Sequence, residues 1–358
     1  MKLTTLVISA VLALLMTGLA HGQTSGFPQL PPVPQTGELQ NNPGATKFTF
    51  VVAGDNRPQA KTPTQPKTLS RILNDAQRFQ PTFFLWCGDT ISGHTADGPT
   101  LKMQYQAFFS ITSQAKVPIF NAPGNHEMDL VKKNPKTKTT VEIPSAKLLA
   151  FYLQFMGSAN VTPNAYGAFN YGNSRFIAVN TEEVAPSKLA RSPGRVVASG
   201  LKLDPGYVSK EQIDLLTEDL EANKDKAHIF VFMHHPIKPN KTASGLDAKT
   251  AVKLTKIFEK YSNVSYILAA HEHLYYNASG NTLTPPQWPV EPFQGPIYLV
   301  TGGGGAPLDK CGNNPGYCDS FYHYLVFNVD GGTVNVQVIA LPEKLKKARA
   351  GKSGRKNE

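Results

Sequence analysis

Eight polar residues stand out because each lies at or just beyond the end of a short apolar run. They are Asp55, Asp89, Asn125, His126, His234, His235, His271 and His273. Five of the nine histidines fall in this set. Imidazole nitrogen mixed with carboxylate oxygen suits zinc, iron or manganese better than calcium or magnesium. Positions i and i+2 of an extended chain point the same way, so His271 and His273 can address one site together. The chemistry such a set supports is that of a metal centre. No Ser-His-Asp arrangement or reactive-cysteine signature accompanies it.

The elements that must carry these residues are legible as five apolar runs. FTFVVA (48–53) ends on Gly54-Asp55, and TFFLWC (82–87) on Gly88-Asp89. VPIFNA (117–122) ends on Pro123-Gly124-Asn125-His126-Glu127, AHIFVFM (227–233) on His234-His235-Pro236, and VSYILAA (264–270) on His271-Glu272-His273. Runs so short and so continuously apolar read as strands covered on both faces. Helical spacing of apolar residues over 66–79, 99–114, 209–220 and 248–261 interleaves with them. Alternating strands and helices predict a layered α/β body with parallel strand segments. In such sheets ligands gather outside the carboxyl ends of the strands. A Gly-Asp after one strand is an ordinary turn; five strand ends all carrying ligand-type residues predict one convergent site.

In this order the blocks Gly54-Asp55, Gly88-Asp89, Gly124-Asn125-His126-Glu127, Val231-Phe232-Met233-His234 and Ala270-His271-Glu272-His273 resemble the calcineurin-like metallophosphoesterase superfamily, especially its purple-acid-phosphatase-like branch. The resemblance runs from Phe48 to about Ala340 and takes in the late run YLVTGGGGAPL (298–308), whose four glycines alone read as a flexible turn without phosphate-cradle spacing. It implies a four-layer sandwich, two mixed β-sheets packed face to face with helices outside. It also implies two metal ions (iron, zinc or manganese) bridged by one Asp and by a water or hydroxide. By motif, Asp89 would bridge, Asp55 and His273 would serve the first metal, and Asn125, His234 and His271 the second. His126 would be a leaving-group donor and Glu127 would orient the loop. Two cations about 3.5–4 Å apart clamp a phosphoryl group and lower the pKa of a bound water toward ~7, which fits hydrolysis of a small phosphate ester.

Two positions depart from that pattern. Many superfamily members carry a His two residues after the first Asp, and purple acid phosphatases a Tyr three residues after the bridging Asp; here Arg57 and Ser92 stand there. Arginine has no lone pair for a metal. Its expected role is a guanidinium fork on the substrate phosphate, with a structural pairing to a nearby acid as the alternative. Three protein ligands would then remain for the first metal, with His94 a candidate replacement, or else a residue that supports the ligands from behind or touches the substrate. His228 and His323 read as structural.

The rest of the chain bounds where this chemistry is expected to work. Its 358 residues, 41% hydrophobic and 17% charged, can bury a large core. Residues 1–22 read as a secretory signal, with Lys2 ahead of LVISAVLALLM and small residues at the cleavage-determining positions, so export to the periplasm or medium is expected. That run is shorter than the ~20 apolar residues a bilayer needs, and no later run is longer. Residues 23–46 read as a Pro/Gly-rich extended linker, 47–342 as the phosphoesterase domain and 343–358 as a basic disordered tail. The tail accounts for most of the net charge of +10, so the basic pI implies no specific nucleic-acid partner. Cys311 and Cys318 are spaced for a small disulfide loop in an oxidising compartment, and Cys87 reads as buried. Within the same site, a phosphodiesterase or a nucleotidase stacking a base on Tyr275, Tyr276, Trp288 or Phe293 is the alternative to a phosphomonoesterase. Outside enzymes, the alternative is a metal- or phosphate-binding envelope protein without turnover.

Overall fold

The structure is a computed structural model that describes residues 27–40, 42–59, 64–133, 140–157, 164–183, 195–196, 201–203 and 205–342. The signal-like segment and the basic tail lie outside the described residues. In chain order the strands are β1 Lys47–Ala53, β2 Phe83–Trp86, β3 Ile119–Asn121, β4 Asp129–Lys133, β5 Thr140–Pro144, β6 Gly167–Tyr171, β7 Ser174–Ala178, β8 Arg195–Val196, β9 Leu201–Leu203, β10 His228–Phe232, β11 Val264–Ala269, β12 Tyr275–Asn277, β13 Ile297–Thr301, β14 Tyr317–Asp319, β15 His323–Asp330 and β16 Thr333–Ala340. The α-helices are α1 Lys67–Asp75, α2 Gly98–Thr112, α3 Asn125–Met128, α4 Ala146–Phe155, α5 Lys210–Ala222 and α6 Ala248–Phe258.

Among the described residues these strands form two large mixed sheets and a small third one. The first has the order β16-β15-β1-β2-β3, with β1, β2 and β3 parallel. The second has the order β14-β12-β13-β11-β10-β7-β6, with β7, β10, β11 and β13 parallel. The small sheet, β4-β5-β9-β8, lies beyond α3. Alternating side chains of β1 and β2 explain the layering. Phe50, Val52, Phe83 and Leu85 face Phe176, Phe230, Phe232 and Leu268 of the other sheet, while Val51, Ala53, Phe84 and Trp86 face α1 and α2. The outer face of the second sheet (Ile177, Val231, Ile267) is covered by Leu216 and Leu220 of α5 and Leu254 and Phe258 of α6. The expected four layers are therefore present, and the face-to-face layer is largely aromatic. Phe50 alone sits 4.7–5.4 Å, centroid to centroid, from Phe83, Phe176, Phe230 and Phe327. Such pairs are worth ~0.5–1.5 kcal/mol each beyond their buried area.

The Pro-rich stretch before β1, expected as an extended linker, turns at 34–36 and 43–44 and packs against the body. Leu30 and Val33 are buried. The Leu30 N–H donates to Ala168 O at the β6 edge, and the Val33 N–H donates to Ile119 O at the β3 edge. One segment thus covers an open edge of each large sheet. The expected disulfide joins Cys311 to Cys318, and Cys87 is a buried free thiol. No described helix is long and apolar enough to cross a membrane.

Candidate active site

All five strand tips bring their polar residues to one rim. Asp55, Asp89 and His271 sit at φ of 61°, 55° and 67°, a left-handed conformation that costs an L-residue ~1–2 kcal/mol. The kink turns each side chain away from its strand, and such strain persists only where the surroundings impose it. The Glu127 carboxylate supplies part of that imposition. It accepts the N–H groups of Asp89 (3.0 Å), Thr90 (2.6 Å), Ile91 (3.2 Å) and Gly124 (2.8 Å) and the Thr90 hydroxyl (2.8 Å). The second and third strand tips are thereby tied together.

Two imidazoles are held with a lone pair facing the rim. His234 Nδ1 lies 2.8 Å from the Cys87 carbonyl and His273 Nδ1 lies 2.7 Å from the Pro307 carbonyl. A carbonyl only accepts, so both Nδ1 atoms carry the proton. Burial lowers both imidazoles, to about 4, leaving Nε2 as a free acceptor at neutral pH. His234 Nε2 faces Asn125 Oδ1 at 2.9 Å, His271 Nδ1 at 3.2 Å and Asp89 Oδ1 at 3.3 Å. His273 Nε2 faces Asp55 Oδ1 at 3.7 Å. Both oxygens of Asp55 are buried without a hydrogen-bond partner, and ligand atoms of Asp55, Asp89 and His234 all lie within 4.8 Å of one another. Burial first, and the Asp89 charge second, push the Asp55 carboxyl well above its usual range; burial pushes Asp89 up to about 7. Acceptors packed against acceptors are costly unless a cation stands among them. The residues present fit metal ions, with Asp55, Asp89 and His273 on one side and Asp89, Asn125, His234 and His271 on the other.

On the open side, Arg57 Nε lies 3.3 Å from Asp89 Oδ2. Arg57 lines a cavity of about 290 Å³ together with Pro58, Ser92, His94, His126 and Val131. His126 Nδ1 lies 2.7 Å from the Ser92 carbonyl, and its Nε2 lies 3.8 Å from Asp89 Oδ2. Ser92 Oγ donates to the Pro58 carbonyl. His94 packs its ring 3.9 Å from that of His126, with Nδ1 3.0 Å from the Asp129 carbonyl and Nε2 3.4 Å from Glu142 Oε1. It stands on the His126 side of the cavity. His235 stacks 3.9 Å from His271 and pairs with Glu182 at 2.6 Å, the place of a neighbour to the ligand-type histidines. His228 and His323 are buried and held in hydrogen bonds, His228 to Ser265 and the Gly331 carbonyl, His323 to Thr301 and the Phe321 carbonyl.

Three carboxylates that sequence reasoning passed over support the rim. Glu272, between His271 and His273, points the other way and accepts the Asn240 and Lys241 N–H groups, both at 2.7 Å. Glu182 belongs to a sixth strand tip, Asn180-Thr181-Glu182 after β7, which the apolar run RFIAV would have flagged. Glu142 accepts the Asn125 side-chain N–H at 3.2 Å and had no local signal. The glycine run is a close-packed joint where a flexible turn was expected. A Cβ on Gly302 would lie 2.5 Å from Asp55 Oδ2, and Gly304 N–H donates to Gly54 O. The aromatics considered for base stacking are occupied in packing, with Tyr275, Tyr276 and Trp288 buried.

The family model for calcineurin-like phosphoesterase matches residues 48–275. No curated protein matches the chain in sequence. Among solved structures, the fold is similar to a purple acid phosphatase from yellow lupin (Lupinus luteus) seeds, at 16% identity and TM-score 0.57, covering 84% of this chain and 52% of the lupin chain. A dimetal phosphatase from Danio rerio matches at 14% identity and TM-score 0.52, covering 82% and 98% of the two chains. GAP50, described as the anchor in the inner membrane complex of Plasmodium, matches at 13% identity and TM-score 0.52, covering 83% and 85%. This chain thus spans about half of the lupin phosphatase and nearly all of the Danio rerio one.

Proposed function

Since the chain belongs to the calcineurin-like phosphoesterase family, we propose that it is an exported, metal-dependent phosphomonoesterase acting on a small phosphate ester. The observation that carries this reading is Asp55, a fully buried carboxylate with no partner for either oxygen, beside Asp89 and two imidazoles with inward lone pairs. When bound, a pair of ions such as iron, zinc or manganese supplies charge neutralisation for the phosphoryl group and acidifies a water to act as nucleophile.

The chain's own residues do the rest. Arg57 is within reach of Asp89 and opens onto the cavity; in the complex its fork turns to the phosphate oxygens and fixes their orientation. His126 is held by Ser92 with Nε2 on the reacting side. Burial and then Arg57 keep that imidazole well below its usual range. A phosphate dianion opposes the Arg57 charge and favours a proton on Nε2, from which it passes to the departing oxygen. His94, packed at a tilt against His126, restricts the room that ring has to turn.

One observation favours a second reading, a binding protein without turnover: with Arg57 and Ser92 at the two departing positions, the Asp55 side of the site has few protein ligands. Likeness to GAP50 shows that this fold also occurs in a protein described as an anchor. The deciding experiment loads the purified chain with zinc, manganese or iron, counts metal by elemental analysis, and assays p-nitrophenyl phosphate against bis(p-nitrophenyl) phosphate. Monoester turnover that a chelator abolishes supports the proposal. Preference for the bis-ester replaces it with a phosphodiesterase, and bound metal without turnover replaces it with the binding protein.

A further inference from the structure

We propose that Glu142 is a positioning residue that sets which end of the Asn125 amide faces the metal centre. The inference rests on the reading of Asn125 as a ligand. An Asn side chain has an oxygen end and an NH2 end of nearly the same shape, and only the oxygen serves as a metal ligand. Asn125 Oδ1 faces His234 Nε2 at 2.9 Å and His271 Nδ1 at 3.2 Å. The His234 Nδ1–H is committed to the Cys87 carbonyl, so the atom facing Asn125 is a lone pair. Without a cation, the amide gains a hydrogen bond by turning over and presenting its NH2 to that lone pair. What opposes the turn is on the other side. Glu142 Oε2 accepts from Asn125 Nδ2 at 3.2 Å, and a turned amide would set its oxygen against the carboxylate.

Glu142 is well placed to impose this. It is 4% exposed and lies on β5, opposite Val131 of β4 in the hairpin that follows α3 directly. Its second oxygen lies 3.4 Å from His94 Nε2, and the His94 ring packs at a tilt against His126, centroids 3.9 Å apart. A single carboxylate therefore reaches both the ligand cluster and the ring at the leaving-group side. Partners of this kind fix ligand orientation, and their loss commonly costs about 10–100-fold in metal affinity.

The test reads metal, with activity set aside. Wild type, Glu142→Ala and Glu142→Gln are dialysed against zinc, and ions per chain and affinity are measured by elemental analysis and chelator competition. Glu142→Ala is expected to weaken one ion by about 10–100-fold, and Glu142→Gln, whose amide can turn over together with that of Asn125, is expected to weaken it as well. In an Asn125→Asp background either end of the side chain is an oxygen, so Glu142→Ala should weaken binding no further. Wild-type affinity in Glu142→Ala, or an undiminished loss in the Asn125→Asp background, would each overturn the inference. Asn125→Ala with both ions at wild-type affinity would instead overturn the ligand reading beneath it.

Discussion

Arg57 occupies the position at which the sequence departs most from the pattern it resembles, and in the structure it leans on Asp89 at 3.3 Å. That contact is a pairing with an acid, the alternative role read for it, and it leaves the guanidinium on the cavity wall. Arg57→Ala is expected to raise KM about tenfold or more, the scale of a lost charge-assisted fork, with ions per chain unchanged. A fall in metal content would make Arg57 a support for the metal centre. His126→Ala should slow alkyl phosphates by about 10²–10⁴-fold, the range of general acid catalysis, and aryl phosphates far less. Equal losses on both would remove the donor role. At this scale the ligand-type residues were legible because each follows an apolar run. Glu142 was not, since it meets Asn125 only through a hairpin and no spacing announces such a contact.

The strand tips are the elements whose bounds were easiest to read. Expected 48–53 became β1 Lys47–Ala53, and expected 264–270 became β11 Val264–Ala269. Helix α4, AKLLAFYLQF, was missed because apolar residues on most sides blur a helical period. The joint at Gly302 was misread for a different reason: glycine marks flexible turns and close approaches alike, and only the neighbour distinguishes them. The disulfide loop also gains a meaning that its spacing withheld. Pro307, four residues before Cys311, accepts the His273 Nδ1–H, Asp309 N–H donates to His273 O, and Asp309 pairs with Lys241 at 3.2 Å. The segment that leads into the loop therefore orients a ligand-type histidine. Reduction, or Cys311→Ser with Cys318→Ser, is expected to weaken one ion by about tenfold through that outer contact, read by chelator competition. Unchanged affinity would make the disulfide a purely structural staple.

Across the whole molecule, an aromatic layer between two sheets carries a rim where burial favours the uncharged forms of Asp89 and His234. Burial lifts Asp89 to about 7 and lowers His234 to about 4. Below about pH 7 the Asp89 oxygens hold a proton that an ion must displace, whereas His234 stays unprotonated down to about 4. The sign is therefore fixed: the stability gained from metal, measured as Tm with ion minus Tm with chelator, should grow as pH rises from about 5 to 7 and then level off. Affinity should fall by about tenfold per pH unit below 7 for each proton displaced. A gain that is flat over this range would show that Asp89 is not displaced from a proton by the ion. The layered architecture was legible from alternating strands and helices, while the pairing of the two sheets through phenylalanines depended on which face each residue took.

The segment before β1 carries one more consequence. Its bonds to Ala168 and Ile119 close the outermost strand of each sheet, so a protease nick between Leu30 and Val33 would do more than shorten the chain. It would free the part that carries Pro28 and Leu30 from the β6 edge and leave the backbone groups of Ala168 able to recruit a neighbour. Material clipped there should be found in sediment and not in solution.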